Sequence, residues 1–453
     1  MEPTPDDLAA ARPAETFAEA EDALLSRWPE TRLEPSLDRI AAFVDLLGDP
    51  QRTYRVVHLT GTNGKTSTAR MIDTLLRALD IRAGRFTSPH VEKMSERISI
   101  DGEPIDDDAF VRAFNEIAPY THLVDADSVH PLSFFEAMVG MAFAAFADAP
   151  VDVAVVEVGM GGSWDATNVV DGAVAVITPI AMDHAQYLGE TLVAIAREKA
   201  GIIKPGATVV VAEQTDEVMA VLQARADEVG ATLLRARTDF EVVSRTSAVG
   251  GQVVTLRGLA ATYEDLFVPL YGAHQAENAV LALVAVEALL GHVLGDDVVR
   301  AGFADTTSPG RLEVVRSSPT IVLDAAHNPH GAESLVAALE DSFAFAPVIG
   351  VVSVMVDKDV ETMLAVLEPA LDHVVVTQNS QPRAMRTQRL AEVAQEVFGP
   401  DRVTAAPDLA TALDVAAGLA EAQSVDSLST GAVLVTGSVV TVGEARRLLR
   451  GAR

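Results

Sequence analysis

Residues Tyr54–Leu79 read YRVVHLT-GTNGKTS-TARMIDTLLRAL, and this stretch decides the fold. Tyr54–Thr60 is a short apolar run of the kind that forms a buried strand. Thr66–Leu79 places Ala69, Ile72, Leu75, Leu76 and Leu79 on one face at helical spacing. Between them, Gly61, Thr62, Asn63, Gly64, Lys65 and Thr66 form a strand-to-helix turn with two glycines and a lysine. Such a turn suits a phosphate chain. The glycines let backbone N–H groups approach, the helix N-terminus offers positive potential, Lys65 reaches the terminal phosphates, and the Thr66 hydroxyl meets Mg²⁺. The full G-x-x-x-x-G-K-[ST] pattern is not met, because Leu59 stands at the first glycine position. A helix N-terminus with a chance lysine is the bland alternative.

The same alternation continues outward. Val151–Val158, Ala173–Thr178 and Thr208–Ala212 are near-continuous apolar runs, as in parallel strands covered on both faces. DTTSPGR at Asp305–Arg311 interrupts the pattern as an interdomain linker would. Strand-like runs resume at Thr320–Asp324, Val348–Val354, His373–Thr377 and Ala432–Gly437. The expected fold is α/β: a phosphate-loop, doubly wound N-terminal ATPase domain and a smaller Rossmann-like α/β C-terminal domain. The expected boundaries are an acidic, loosely docked tail over 1–30, an ATP-binding domain over 31–306, a linker over 307–310 and a second domain over 311–453.

Composition restricts the function classes. Across 453 residues, 65 Asp and Glu oppose 34 Lys and Arg, a formal net charge of −31. So acidic a chain is a poor partner for nucleic acid or an anionic membrane. Any anionic substrate must be met by local positive potential. There is no cysteine, which suits a reducing compartment. The N-terminal stretch lacks the pattern of a signal peptide, and no apolar run reaches the length of about 18 residues needed to span a bilayer. A cytoplasmic location is expected. Lysine occurs only at positions 65, 93, 199, 204 and 358; base composition of the genome accounts for such scarcity, and the five positions are the ones to inspect for a task that an ammonium performs and a guanidinium does not.

Other segments carry candidate chemistry. Glu157 closes a buried strand at the mouth where doubly wound sheets bind ligands, and its carboxylate either holds Mg²⁺ or caps a neighbouring helix. Gly159, Gly161 and Gly162 permit a tight loop against a ligand. Asp183 and His184 follow the next strand, and a lone His is more often structural than a metal ligand. Lys199, beside Glu198, reads by itself as a solvated helix lysine. Asp324 and His327 follow a later strand end, where an acid suits a ribose hydroxyl or caps a helix, a task Asn328 can also perform. Arg311 by itself reads as a solvated linker residue.

Taken together, the segments resemble the folylpolyglutamate synthases, including the bacterial enzymes that are also dihydrofolate synthases, relatives of the Mur ligases. The matching blocks run in order: GTNGKTS at Gly61, TSPH…ERI over Thr87–Ile98, SFFE at Ser133 and EVGMGGSWDATN at Glu157. They continue with DH…LG at Asp183, REKAGIIK at Arg197, GAHQAENA at Gly272, PGRLEV at Pro309, DAAHNPHG at Asp324, DKD at Asp357 and TGS at Thr436.

The resemblance implies an ATP-dependent ligase that phosphorylates a carboxylate of dihydropteroate or a reduced folate and joins it to L-glutamate. It implies ATP contacts at Gly61–Thr66, Asn278, Arg311, Asp324 and His327. It places one Mg²⁺ on Ser88, Glu157 and His184, and Lys199 at a lysine carbamylated in relatives, serving a second ion. The pterin contacts would be Ser133, Phe134, Phe135, Glu136, Trp164, Asp165 and Ala166, with an early segment loosely matched by Glu34–Arg39. A monomer is usual among relatives. Thr66 departs from the commoner GTNGKGS, and Ser163–Trp164 replaces an Arg–Leu pair. A Mur-type ligase acting on a nucleotide-linked peptide is the nearest alternative, though residue 61 leaves little room before the loop for its extra domain. An ATP-binding relative without ligase activity is the other.

Overall fold

The computed structural model describes residues 13–29, 35–422 and 431–451. The chain divides into two compact units. One comprises Met1–Val243, Thr255–Leu266 and Glu277–Thr306, the other Ser244–Val254, Phe267–Ala276 and Thr307–Arg453.

The first unit is built on an eight-stranded sheet. Its strands are β1 (Arg55–Thr60), β2 (Ala83–Phe86), β3 (Ile98–Ile100), β4 (Glu103–Pro104), β5 (Val153–Glu157), β6 (Gly172–Ile177), β7 (Thr208–Val211) and β8 (Thr232–Arg235), in the order β4-β3-β2-β5-β1-β6-β7-β8. From β2 to β8 neighbouring strands are parallel, while β3 and β4 add an antiparallel edge. β1 lies between β5 and β6, so the chain reverses its direction of winding there. That is the switch point at which doubly wound sheets open a crevice beyond their strand ends. Leu59 pairs with Glu157 and Thr60 with Ile177, which brings the exits of three strands to one place.

Helix Lys65–Ala78 fits the expected helix, shifted by one residue. Ala69, Ile72, Leu75 and Leu76 are fully buried, as the periodicity requires. Met71, Asp73 and Thr74 are buried too, so this helix is enclosed on more than one face. Gly302, on helix Asp296–Ala304, packs directly on Leu75 and Thr74. Asp73 forms a buried ion pair with Arg85 of β2, which also donates to Ser99 Oγ at 3.0 Å.

The segment expected to be a loose tail instead contains helix Phe17–Leu25. Thr16 and Glu19 form a reciprocal capping box at its start, and Ala20 and Leu24 are fully buried. Residues 1–12 and 30 of that segment lie outside the described residues.

A separate antiparallel sheet comprises β9 (Glu241–Ala248), β10 (Gly251–Arg257) and β11 (Thr262–Val268), in the order β11-β10-β9. The second unit carries a six-stranded sheet of β12 (Glu313–Ser317), β13 (Thr320–Leu323), β14 (Val348–Val352), β15 (His373–Val376), β16 (Val403–Ala405) and β17 (Ala432–Thr436). Its order is β12-β13-β17-β14-β15-β16, and all its pairs except β12 with β13 are parallel. No described helix is long and apolar enough to cross a membrane.

Candidate active site

The loop after β1 is fixed by its glycines and by the strand beside it. Gly61 has φ +146, and a Cβ there would lie 1.8 Å from Thr178 Oγ1, so the loop lies against the end of β6 with no room for a side chain. Gly64 caps helix Lys65–Ala78 at φ +91, where a Cβ would meet Asn278 Oδ1 at 2.6 Å. The loop is tied down again through Thr62. Its N–H donates to Pro179 O at 2.9 Å, its hydroxyl donates to Ala181 O at 3.0 Å, and that same hydroxyl oxygen accepts Ala181 N–H at 3.0 Å. Of the ATP set, Gly61, Thr62, Asn63, Gly64, Lys65, Thr66 and Asn278 therefore belong to one neighbourhood.

Four side chains meet at the loop, two of them its own. Thr66 Oγ1 donates to Glu157, 2.9 and 3.0 Å from its two carboxylate oxygens, and Glu157 is 1% exposed. Lys65 Nζ folds back to the carbonyls of Gly61 and Thr62 at 3.1 and 3.2 Å. Lys199 Nζ donates to the same Gly61 carbonyl at 2.8 Å. Lys199 is not the solvated lysine its local sequence describes, for it is buried. Burial, reinforced by the nearby Lys65 ammonium, brings its pKa down to about 7 against the pull of Asp183 and Asp165. Near neutrality much of it is a free amine.

His184 has a left-handed backbone, φ 51. Its N–H donates to Asp183 Oδ1 at 2.8 Å, and its ring Nε2 stands 3.9 Å from Asp183 Oδ2. Ser88 lies half-buried after β2, joined to Pro89 by a cis bond. Among the described residues no three His, Asp or Glu side chains gather as a metal nest.

The glycine run after β5 faces protein. A Cβ on Gly159 would strike the Phe135 ring at 2.5 Å. One on Gly162 would strike Glu198 O at 2.5 Å, and one on Gly201 would meet Ser163 Cα at 2.4 Å. The loop is thus clasped to the end of helix Leu192–Ala200. Ser163 N–H donates to Glu198 O at 2.9 Å, and Ser163 Oγ donates to Glu198 Oε2 at 2.5 Å. This clasp holds the backbone on either side of Lys199. Asp165 is buried and accepts from Met160 N–H and Thr167 N–H, both at 2.9 Å. Burial raises its pKa against those bonds. Trp164 lies over Gly161, and Ala166 opens a short 3₁₀ turn.

Ser133 caps helix Phe134–Asp148 in a capping box with Glu136. Glu136 also accepts from Arg39 Nε at 3.1 Å, across a gap of 97 residues. Glu34, at the other end of that early segment, lies outside the described residues. Arg97 sits over the Phe134 ring at 4.9 Å, and Phe135 lies 5.9 Å from Phe86.

In the second unit, Asp324 spends both carboxylate oxygens on backbone N–H groups, Leu312 at 3.0 Å and Ala326 at 2.9 Å. It fixes its own loop, while Asn328 caps helix Pro329–Ser342. Burial raises the Asp324 pKa, opposed mainly by nearby Arg311. His327 Nδ1 lies 2.9 Å from Ala325 O. His274, passed over in the sequence, belongs to this group. Burial, with Arg311 and then His330 nearby, brings its pKa down to about 4.

The sequence pattern of the Mur ligase middle domain matches residues 131–286, and that of the Mur ligase glutamate ligase domain matches 310–439. The dihydrofolate synthase/folylpolyglutamate synthase of Mycobacterium tuberculosis is 51% identical over 98% of this chain and 95% of its own length. The chain belongs to the folylpolyglutamate synthase/dihydrofolate synthase family. The dihydrofolate synthase/folylpolyglutamate synthase of Bacillus subtilis is 32% identical over 92% of this chain and 96% of its own. Among solved structures, M. tuberculosis folylpolyglutamate synthase complexed with ADP and AMPPCP superposes at TM-score 0.92, with 51% identity, 96% of this chain and 98% of that one covered. The E. coli FolC complex with DHPP and ADP superposes at 0.85, with 29% identity, 98% of this chain and 100% of that one covered.

Proposed function

We infer that this chain is an ATP-dependent ligase that joins L-glutamate to a folate carboxylate. The observation that carries the reading is the meeting of Thr66 and Glu157 at the N-terminus of helix Lys65–Ala78, with Lys65 and Lys199 on a single loop carbonyl. That is the equipment for binding and polarising a nucleotide triphosphate. The family supplies the acceptor class.

The loop Gly61–Thr66 receives the phosphates on backbone N–H groups and the helix N-terminus. On nucleotide binding, Lys65 leaves the loop carbonyls it now caps and meets the charge that builds up on the transferring phosphoryl group. The family resemblance assigns further ATP contacts to Asn278, which lies against Gly64, and to Arg311, Asp324 and His327. Phe135 and Trp164 offer ring faces to the pterin, with Ser133, Phe134, Glu136, Asp165 and Ala166 shaping that side. An acyl phosphate forms on the acceptor carboxylate, and the glutamate amine displaces phosphate from it. The side chains hold the reactants in line and exclude water.

The donors suit Mg²⁺, because the Thr66 hydroxyl and the Glu157 carboxylate are hard oxygens side by side. Ser88 and His184 are the further donors that the family resemblance assigns. When bound, the ion offsets phosphate charge. Lys199, neutral in part near pH 7, could add through Nζ to CO₂ with loss of a proton, and the carbamate would supply a carboxylate-like oxygen pair for a second cation.

Incubation with MgATP, L-glutamate and either dihydropteroate or tetrahydrofolate, with mass spectrometry of the products, tests the reading. We expect a one-glutamate mass gain on both acceptors. Gain on a nucleotide-linked muramyl peptide alone would overturn it.

A further inference from the structure

The helix that presents Ser133–Glu136 is held from a part of the chain that neither the motifs nor the phosphate site involve. Arg27 follows helix Phe17–Leu25, and its side chain is only 14% exposed. Its Nη2 donates to both oxygens of Asp125, at 2.8 and 2.6 Å, and its Nε donates to Leu132 O at 3.1 Å. Asp125 Oδ1 in turn accepts Leu132 N–H at 2.7 Å. One ion pair thus satisfies both main-chain polar groups of Leu132, whose side chain is fully buried. The next residue repeats the attachment. Trp28 O accepts Phe134 N–H at 2.8 Å, Trp28 forms a parallel bridge to Ser133, and its ring lies 4.7 Å from His130.

We propose that Arg27 and Asp125 are positioning residues for the acceptor: they fix Leu132, and through it set where the first turn of helix Phe134–Asp148 presents Ser133–Glu136. The inference rests on the assignment of that turn to the pterin side.

The connection needs such an anchor. Residues 128–133 join helix Asp107–Asp127 to helix Phe134–Asp148 through a loop with Pro131 and a fully outward Val129, 94% exposed. A bidentate guanidinium–carboxylate pair specifies distance and plane together, which a lone hydrogen bond does not. Downstream, Arg39 Nε fastens Glu136 at 3.1 Å, so the turn is held on both sides and a shift upstream strains it. Neither Arg27 nor Asp125 lies in the phosphate loop or bonds to its residues.

The test is steady-state kinetics of the full chain carrying Arg27→Met, Asp125→Asn or both, with dihydropteroate or tetrahydrofolate as the varied acceptor and ATP varied separately. In each single variant the acceptor KM rises about tenfold, while the KM for ATP and kcat stay within about twofold of wild type. The double variant is no worse than the singles, because each already breaks the pair. Asp125→Asn keeps an oxygen for Leu132 N–H and serves if Arg27→Met does not fold. Equal loss toward ATP and acceptor, or an unchanged acceptor KM in a folded variant, overturns the proposal. A wild-type enzyme with no acceptor-dependent turnover overturns the functional reading, and the anchor's role with it.

Discussion

Gly162→Ala offers a severe test of how the site is assembled. The added Cβ would lie 2.5 Å from Glu198 O, 2.9 Å from Lys199 O and 3.0 Å from Lys199 Cα, all backbone atoms that no rotamer change can move. Ordinary contact begins at 3.4 Å, so the closest approach is short by 0.9 Å. Gly162 does not have a positive φ, so the effect is one of space and not of backbone conformation. Relief requires the Gly161–Ser163 loop or the end of helix Leu192–Ala200 to retreat by most of that distance. Ser163 holds the two together, so Lys199 moves with them, and its 2.8 Å bond to Gly61 O lengthens. Overpacking of this kind costs about 1–3 kcal/mol of stability. A displacement near 1 Å of a catalytic group lowers turnover by about a hundredfold. Acceptor-dependent phosphate release and a urea unfolding curve on the same preparation measure both. Turnover within about twofold of wild type would refute the claim that this clasp sets the position of Lys199.

Further outcomes follow from the same geometry. Lys65→Ala abolishes turnover while leaving the unfolding curve in place, because the half-buried ammonium bonds the carbonyls of its own loop and takes no part in the core; phosphate release and circular dichroism check it. The Lys199 pKa is lowered from 10.5 to about 7, so its burial opposes folding in full below about pH 7, and stability rises between about pH 7 and 10.5 as the unfolded chain binds the extra proton. Lys199→Met removes that slope from unfolding curves taken across the range, and it also removes any stimulation of activity by bicarbonate. Asp73→Asn leaves the buried Arg85 guanidinium without its counter-charge and destabilises the first unit by about 3–5 kcal/mol, measured by urea unfolding.

The parallel strands that carry the site are legible because they are buried on both faces and read as plain apolar runs. β2 is less so: Arg85 lies in the middle of a four-residue strand, and its charge is hidden by Asp73, a residue on a different element. β9 escapes notice because none of its residues is buried and its sequence, EVVSRTSA, is mostly polar. The N-terminal helix was within reach, since Thr16 and Glu19 have capping-box spacing, but the acidic composition around them points to a tail. Local sequence misleads most where a residue's role is set at long range. Lys199 reads as a solvated helix lysine until the Gly61 carbonyl is placed over it, 138 residues away. The glycines after β5 read as room for a ligand, yet Gly159 and Gly162 are occupied by Phe135 and by the Glu198 backbone. The Asp324 carboxylate suits a ribose by its place after a strand, but the bonds its two oxygens make to the N–H groups of Leu312 and Ala326 are not visible there.

Oxygen transfer tests the central claim most directly. With the acceptor carboxylate labelled with ¹⁸O, MgATP and L-glutamate, a ligase working through an acyl phosphate releases inorganic phosphate carrying one ¹⁸O for each amide formed. Unlabelled phosphate accompanying the glutamylated product, or phosphate released at the same rate without acceptor, would contradict it.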